Sequence, residues 1–187
     1  VIALGGEIRF VSQVEDLIVE GDALRGVVVN GARIDCEKAI LAIGHSARDT
    51  FSLLYEHQLQ MQAKAFAVGV LVEHAQRLID EQLYGEYAGH ARLGAASYRM
   101  TCPADNGRAV YTFCMCPGGV VVPSASAPGE VVVNGMSEHA RDKANANSAL
   151  LVQVTPQDFG THPLDGIRYL QQLEQKAFLM GGANGCA

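Results

Sequence analysis

Cys114 and Cys116 are the closest pair of redox-capable side chains in this sequence. On a strand, an i, i+2 spacing puts both thiols on one face. Two thiols so placed could pass electrons to a neighbouring redox group. They could equally be two small buried hydrophobes beside a turn, and free cysteine is more often of that kind. A Cys-x-Cys disulfide is strained, which favours the packing reading. Pro117-Gly118-Gly119 follows at once. Glycine there would let a ligand approach the backbone closely, or simply form a turn. His45 follows a Gly at the end of an apolar run, where an imidazole could donate a hydrogen bond or a proton near neutral pH. A capping or loop histidine would read the same way. His57, His74, His90, His139 and His162 read as ordinary surface or strand-end residues. Asn134-Gly135, Asn145 and Asn147 carry amides that could face a ligand, although Asn-Gly is more often a turn.

Metal chemistry is not expected. The five cysteines, Cys36, Cys102, Cys114, Cys116 and Cys186, form one close pair with no second pair to complete a tetrahedral zinc site. The odd count and irregular spacing argue against a disulfide framework and for reduced thiols, hence a cytoplasmic location. With 14 basic and 20 acidic residues the formal net charge is −6, which disfavours a nucleic-acid surface. Trp is absent and aromatics make up 6%, too few for a base-stacking platform. No run approaches the roughly 18 apolar residues of a membrane span, so no membrane partner is expected. No basic and apolar leader opens the chain. Apolar residues at 49% over 187 residues can build one sizeable core, or one domain and part of another.

The elements that must carry these residues are mostly strands. Residues 7–11, 16–20 and 24–29 alternate or run apolar, and Asn30-Gly31 is a hairpin turn. Ala39-Ile40-Leu41-Ala42-Ile43 is unbroken and apolar, as in a parallel strand buried on both faces. Ser46-Ala47-Arg48-Asp49 reads as a capped helix start. Strands are expected at 66–73, 98–101, 109–114, 119–122, 131–134 and 149–154, and helices at 75–83 and 164–177. The expected class is α+β: a strand-rich mixed sheet with a few helices. Val1 follows no Met and residues 181–187 stop in a turn-like stretch, so both ends read as cut.

A meander returning to a strand that ends Ile43-Gly44 resembles the nucleotide-domain signature of glutathione-reductase-like flavoproteins, with Ile43 where Thr is usual. The longer resemblance is to a family of FAD-dependent dehydrogenases, also described as NAD-utilising dehydrogenases. Its segments are Gly44-His45-Ser46-Ala47-Arg48-Asp49-Thr50, Lys64 to Val70, Glu73-His74, Tyr111 to Gly119, Asn134 to Ser137 and Asn145 to Leu150. Two positions depart from that family: Leu71 stands where Arg is common, and Ala75 where Pro is common. The resemblance implies a larger oxidoreductase whose FAD domain includes residues 1–46 and whose substrate-side domain includes residues 47–187. It implies His45 as a catalytic group, and Val14, Gly44, His45, Ser46, Gly118 and Gly119 as flavin contacts. FAD is the implied cofactor of the whole protein, with an unnamed small-molecule substrate and NAD(P)H as a candidate partner. No Gly-x-Gly-x-x-Gly occurs in this chain, so the chain alone is expected to hold no flavin. The competing readings are a non-catalytic β-rich binding or interaction module, and a degenerate enzyme.

Overall fold

Asn30 and Gly31 both take positive φ, 49° and 76°, the geometry of a tight hairpin turn. They join β2 (Ala23–Val29) to β3 (Ala32–Asp35), while Gly21-Asp22 joins β1 (Val14–Glu20) to β2, making an antiparallel meander β1-β2-β3. The turn also anchors the entry to β1: the Gln13 amide donates to Asn30 Oδ1 (2.9 Å), and Asn30 Nδ2 donates to the Val11 carbonyl (2.7 Å). The computed structural model describes residues 1–125 and 127–183, in two compact units, Val1–Met61 and Gln62–Ala187.

The first unit holds the meander and α1 (Arg48–Glu56). Leu54 is buried, and His57 Nε2–H donates to Asp16 Oδ1 (2.6 Å), tying the helix end to β1. Ala47, not Ser46, is the N-cap, and no side chain caps this helix. Asp49 in the first turn complements the helix dipole instead. Two strands expected in this unit are absent, and the one expected at residues 98–101 of the second unit begins only at Thr101. Residues 7–11 are not a strand, and neither are residues 39–43, where Ile40 is 95% exposed. The physical reason is pairing: a strand exists by its ladder, and no described strand lies beside residues 39–43. The short β3 was missed because Ile34 is its only large apolar residue.

The second unit contains β4 (Phe66–Ala75), α2 (Gln76–Tyr84), β5 (Thr101–Pro103), β6 (Ala109–Thr112), β7 (Gly119–Pro123), β8 (Val133–Ser137), β9 (Asn145–Val154), α3 (Pro156–Phe159) and α4 (Asp165–Met180). A four-stranded sheet runs β4-β9-β6-β5, and β7-β8 form a separate hairpin. Every pairing among the described residues is antiparallel. The class is α+β, as expected, without a parallel strand. β4 and β9 pair along their full lengths, from Phe66 opposite Val154 to Ala75 opposite Asn145. Ile79, Ala96, Met115 and Ala146 form the core cluster, with Tyr84 and Tyr98 against it. At the other end of β4, Phe66 packs at a tilt on Phe159 (5.0 Å) and edge-on to Tyr169 (6.4 Å), which docks α3 and α4. Thr155 and Asp158 form a capping box at α3. Among the described residues no helix is long and apolar enough to cross a membrane.

Candidate functional site at a buried turn

Asn147, on β9, is 1% exposed, and neither of its amide atoms has a hydrogen-bond partner among the described residues. A buried polar group without a partner costs on the order of 1–3 kcal/mol. The backbone around it is well tied. Cys116 N–H donates to the Asn147 carbonyl (2.8 Å), and Asn147 N–H returns to the Cys116 carbonyl (3.3 Å), an isolated bridge. Gly135, on β8, closes the other side. A Cβ there would lie 2.1 Å from Asn147 Oδ1 and 3.0 Å from Cys116 Sγ. The three segments singled out in sequence around Cys116, Gly135 and Asn147 therefore meet at one point. Ser148 Oγ extends the contact by donating to the Phe113 carbonyl (3.0 Å), and Ser137 Oγ donates to the Pro117 carbonyl (2.8 Å).

The thiols differ. Cys114 is exposed and Cys116 half-buried. Burial pushes the Cys116 thiol above its ordinary value, the neighbouring Cys114 adds to this, and a Ser137 contact offsets part of it. Cys116 is thus held as the neutral thiol, a poor nucleophile and a compact packing group. Met115 between them belongs to the core.

Gly118 has φ +48° and is buried. A Cβ at Gly118 would lie 2.0 Å from the Arg141 carbonyl oxygen, and one at Gly119 would lie 2.3 Å from that of Met136. The Gly118 N–H donates to Gln76 Oε1 (2.9 Å). Of the two readings of this Pro-Gly-Gly segment, the turn is the one seen within the chain, which itself takes both the Gly118 amide and the space beside it. These glycines admit neighbouring backbone and so shape the turn.

Gln76 is the residue that sequence reasoning missed. It is 6% exposed, and its Nε2 donates to Asp80 Oδ1 (2.8 Å) and to the Ala96 carbonyl (2.9 Å). One amide thus joins α2, the Ala96 segment and the Gly118 turn. No charge or motif marked it in the sequence. Nearby, His74 Nδ1–H faces the Ala75 carbonyl (3.3 Å), which leaves Nε2 to accept from the Tyr98 hydroxyl (2.8 Å). Glu73 Oε1 accepts from Asn145 Nδ2 (2.7 Å). The Glu73-His74 pair is built into the sheet edge rather than left loose at a strand end.

Val14, Gly44, His45 and Ser46 belong to the first unit, and Gly118 and Gly119 to the second. Val14 opens β1 opposite Val29 and is 44% exposed. Gly44 has φ +69°, and a Cβ there would meet nothing within 4 Å. His45 and Ser46 are exposed, with Ser46 Oγ 3.4 Å from His45 Nε2. This open turn could border a flat ring. A pyrophosphate does not fit the chain as well. No Gly-x-Gly-x-x-Gly is present; α1, α3 and α4 carry Asp49, Asp158 and Asp165 in their first turns, whose charge disfavours phosphate, and α2, which has no acid there, is entered straight from β4 without a glycine-rich loop. No group of three or more His, Cys, Asp or Glu that could hold a metal occurs among the described residues. Cys186 lies outside them.

The chain is similar to an uncharacterised protein of Clostridium beijerinckii (strain ATCC 51743 / NCIMB 8052), with 51% identity over 183 residues, 97% of this chain. It spans 34% of that relative's length. The family model described as "FAD-dependent protein, C-terminal domain-like" matches residues 65–187, which include β4 to α4 and every residue of the buried turn. The chain therefore belongs to the family of FAD-dependent proteins, through their C-terminal domain.

Proposed function

We propose that this chain is part of an FAD-dependent oxidoreductase, a dehydrogenase of the glutathione-reductase-like kind with NAD(P)H as a candidate electron partner. Residues 1–46 contribute to the flavin domain, and residues 47–187 form the substrate side. When bound, FAD supplies the capacity to accept or donate hydride. The chain's own residues orient and enclose. Val14 and the open Gly44-His45-Ser46 turn border the flavin, with His45 as proton donor. The Pro117-Gly118-Gly119 turn, locked by Gln76, shapes the wall facing the substrate. The observation that carries this reading is the match of residues 65–187 to the FAD-dependent family. The protein works in the cytoplasm.

A second reading is favoured by the neutral Cys116 thiol and the internally used Gly118 amide: a recognition module without thiol chemistry. One experiment separates the two. The whole protein and the 187-residue chain are purified side by side, and their visible flavin absorbance is measured. Stoichiometric flavin is expected in the whole protein and none in the chain, and His45→Ala should lower flavin content or slow photoreduced-flavin reoxidation. A whole protein free of flavin after reconstitution with FAD would support the module instead.

A further inference from the structure

A cavity of about 370 Å³ lies in the second unit between α2, the loop of residues 88–95 and the loop of residues 138–144. Arg77, His90, Arg141 and Lys143 line it. In a chain of net charge −6, a convergence of three cations from two segments, α2 and the loop of residues 138–144, runs against the average. Two acids also line it, Asp80 and Asp142. Asp80 is already committed, accepting from Gln76 Nε2 and from the Ala96 amide, both at 2.8 Å. Arg77 pairs with Glu81, and Lys143 with Glu138 (2.7 Å). Both partners lie outside the cavity wall, and exposed pairs of this kind are weak and easily exchanged. Arg141 has no ion pair or side-chain hydrogen bond among the described residues.

The loop that carries Arg141 and Lys143 is pinned to the buried turn. The Arg141 carbonyl occupies the space that a side chain at Gly118 would need. Lys143 N–H donates to the Gly118 carbonyl (3.3 Å), and Gln76 N–H to that of Ala144 (2.9 Å). The shape of the Pro117-Gly118-Gly119 turn thus fixes where the two cations stand. Charge and size narrow the occupant. With Arg77, Arg141 and Lys143 against Asp80 and Asp142 the wall is net positive by one charge, which favours an anion over a metal ion, and a volume at the low end of the ~300–1,000 Å³ usual for ligand pockets suits a metabolite rather than a dinucleotide.

We infer that this cavity binds a small organic anion through a phosphate or carboxylate group held by Arg141 and Lys143, with Arg77 at the rim. The inference does not depend on the flavin reading. The test is calorimetric titration of the whole protein with inorganic phosphate and, separately, with succinate, at an ionic strength held constant with chloride. Saturable binding of at least one is expected, the better of the two reporting whether the site prefers phosphate or carboxylate. Arg141→Asn, which tolerates the left-handed backbone at φ +52°, and Lys143→Gln should each weaken it about tenfold or more. Arg77→Gln, on a side chain 85% exposed, tests the same site without touching the core. Arg168→Gln, a charge loss elsewhere in the unit, should leave binding unchanged. Absence of saturable binding for both anions overturns the inference. So does binding that survives the Arg141 and Lys143 variants, or that falls equally with Arg168→Gln. Flavin absorbance of the same samples reports separately on the proposed oxidoreductase function.

Discussion

Gly118 is the residue on which the most local structure depends. Its positive φ suits glycine, and the Arg141 carbonyl fills the place of its missing side chain. Gly118→Ala must both hold a left-handed backbone and displace a neighbouring peptide, so it should cost about 2–3 kcal/mol. The denaturant midpoint would show it, and a change below about 0.5 kcal/mol would mean that the loop moves freely. The sequence marked this glycine but left open whether a ligand or a turn required it, since a dipeptide cannot tell a ligand from a second loop. Gln76 and the orphaned Asn147 amide show the same limit from the other side. Gln76 matters through burial and partners distant in sequence, and Asn147 through burial alone, and a local pattern shows neither burial nor a distant partner. The segments around Cys116, Gly135 and Asn147 were legible as motifs; their meeting at one bridge was not.

Among the elements, those with an internal signal were legible. The Asn30-Gly31 hairpin, β4, α2 and α4 follow from turn chemistry and periodicity, and each lies within a few residues of its expected bounds. Residues 39–43 failed because an apolar run states a wish for burial, while a strand also requires a neighbour. α3 was not expected at all, yet it is held by charge. Arg108 forks onto both carboxylate oxygens of Asp158, which also accepts from the Thr155 amide. The Arg108 hydrogen bonds, the Thr155 amide bond and the Arg108 charge hold the Asp158 carboxyl down from its ordinary 3.8 to about 2. A depressed folded-state pKa adds stability that is present above the unfolded value and lost as pH falls through the folded one. Stability should therefore decline between about pH 4 and pH 2, and Asp158→Asn should flatten that part of the profile. Thermal melts across this window check the sign, and an unchanged slope in the variant would remove Asp158 from the account.

At the scale of the molecule, apolar exposure is uneven. Val1, Ile2, Leu4, Phe10, Val11 and Ile40, all at least 70% exposed, fall in the first unit, against Leu179 and Met180 in the second, which also holds the whole core cluster. Residues 62–187 should therefore fold alone with one cooperative transition, and residues 1–61 should not. Separate expression, with circular dichroism on melting, decides this; a first unit that melts cooperatively by itself would contradict it. The pairing of β4 with β9 has a further consequence, for the order of events during synthesis. Phe66–Ala75 leaves the ribosome roughly 70 residues ahead of its partner, about 4–14 seconds at ordinary elongation rates. Throughout that interval β4 is a bare edge carrying Val68, Val70, Leu71 and Val72, the sort of segment that recruits strands from other chains. α2 and the Ala96 segment emerge meanwhile and can shelter one end of it. Slowing translation between residues 76 and 144 would lengthen the exposure, so the yield of this unit should be set by the speed at which the ribosome reaches Asn145.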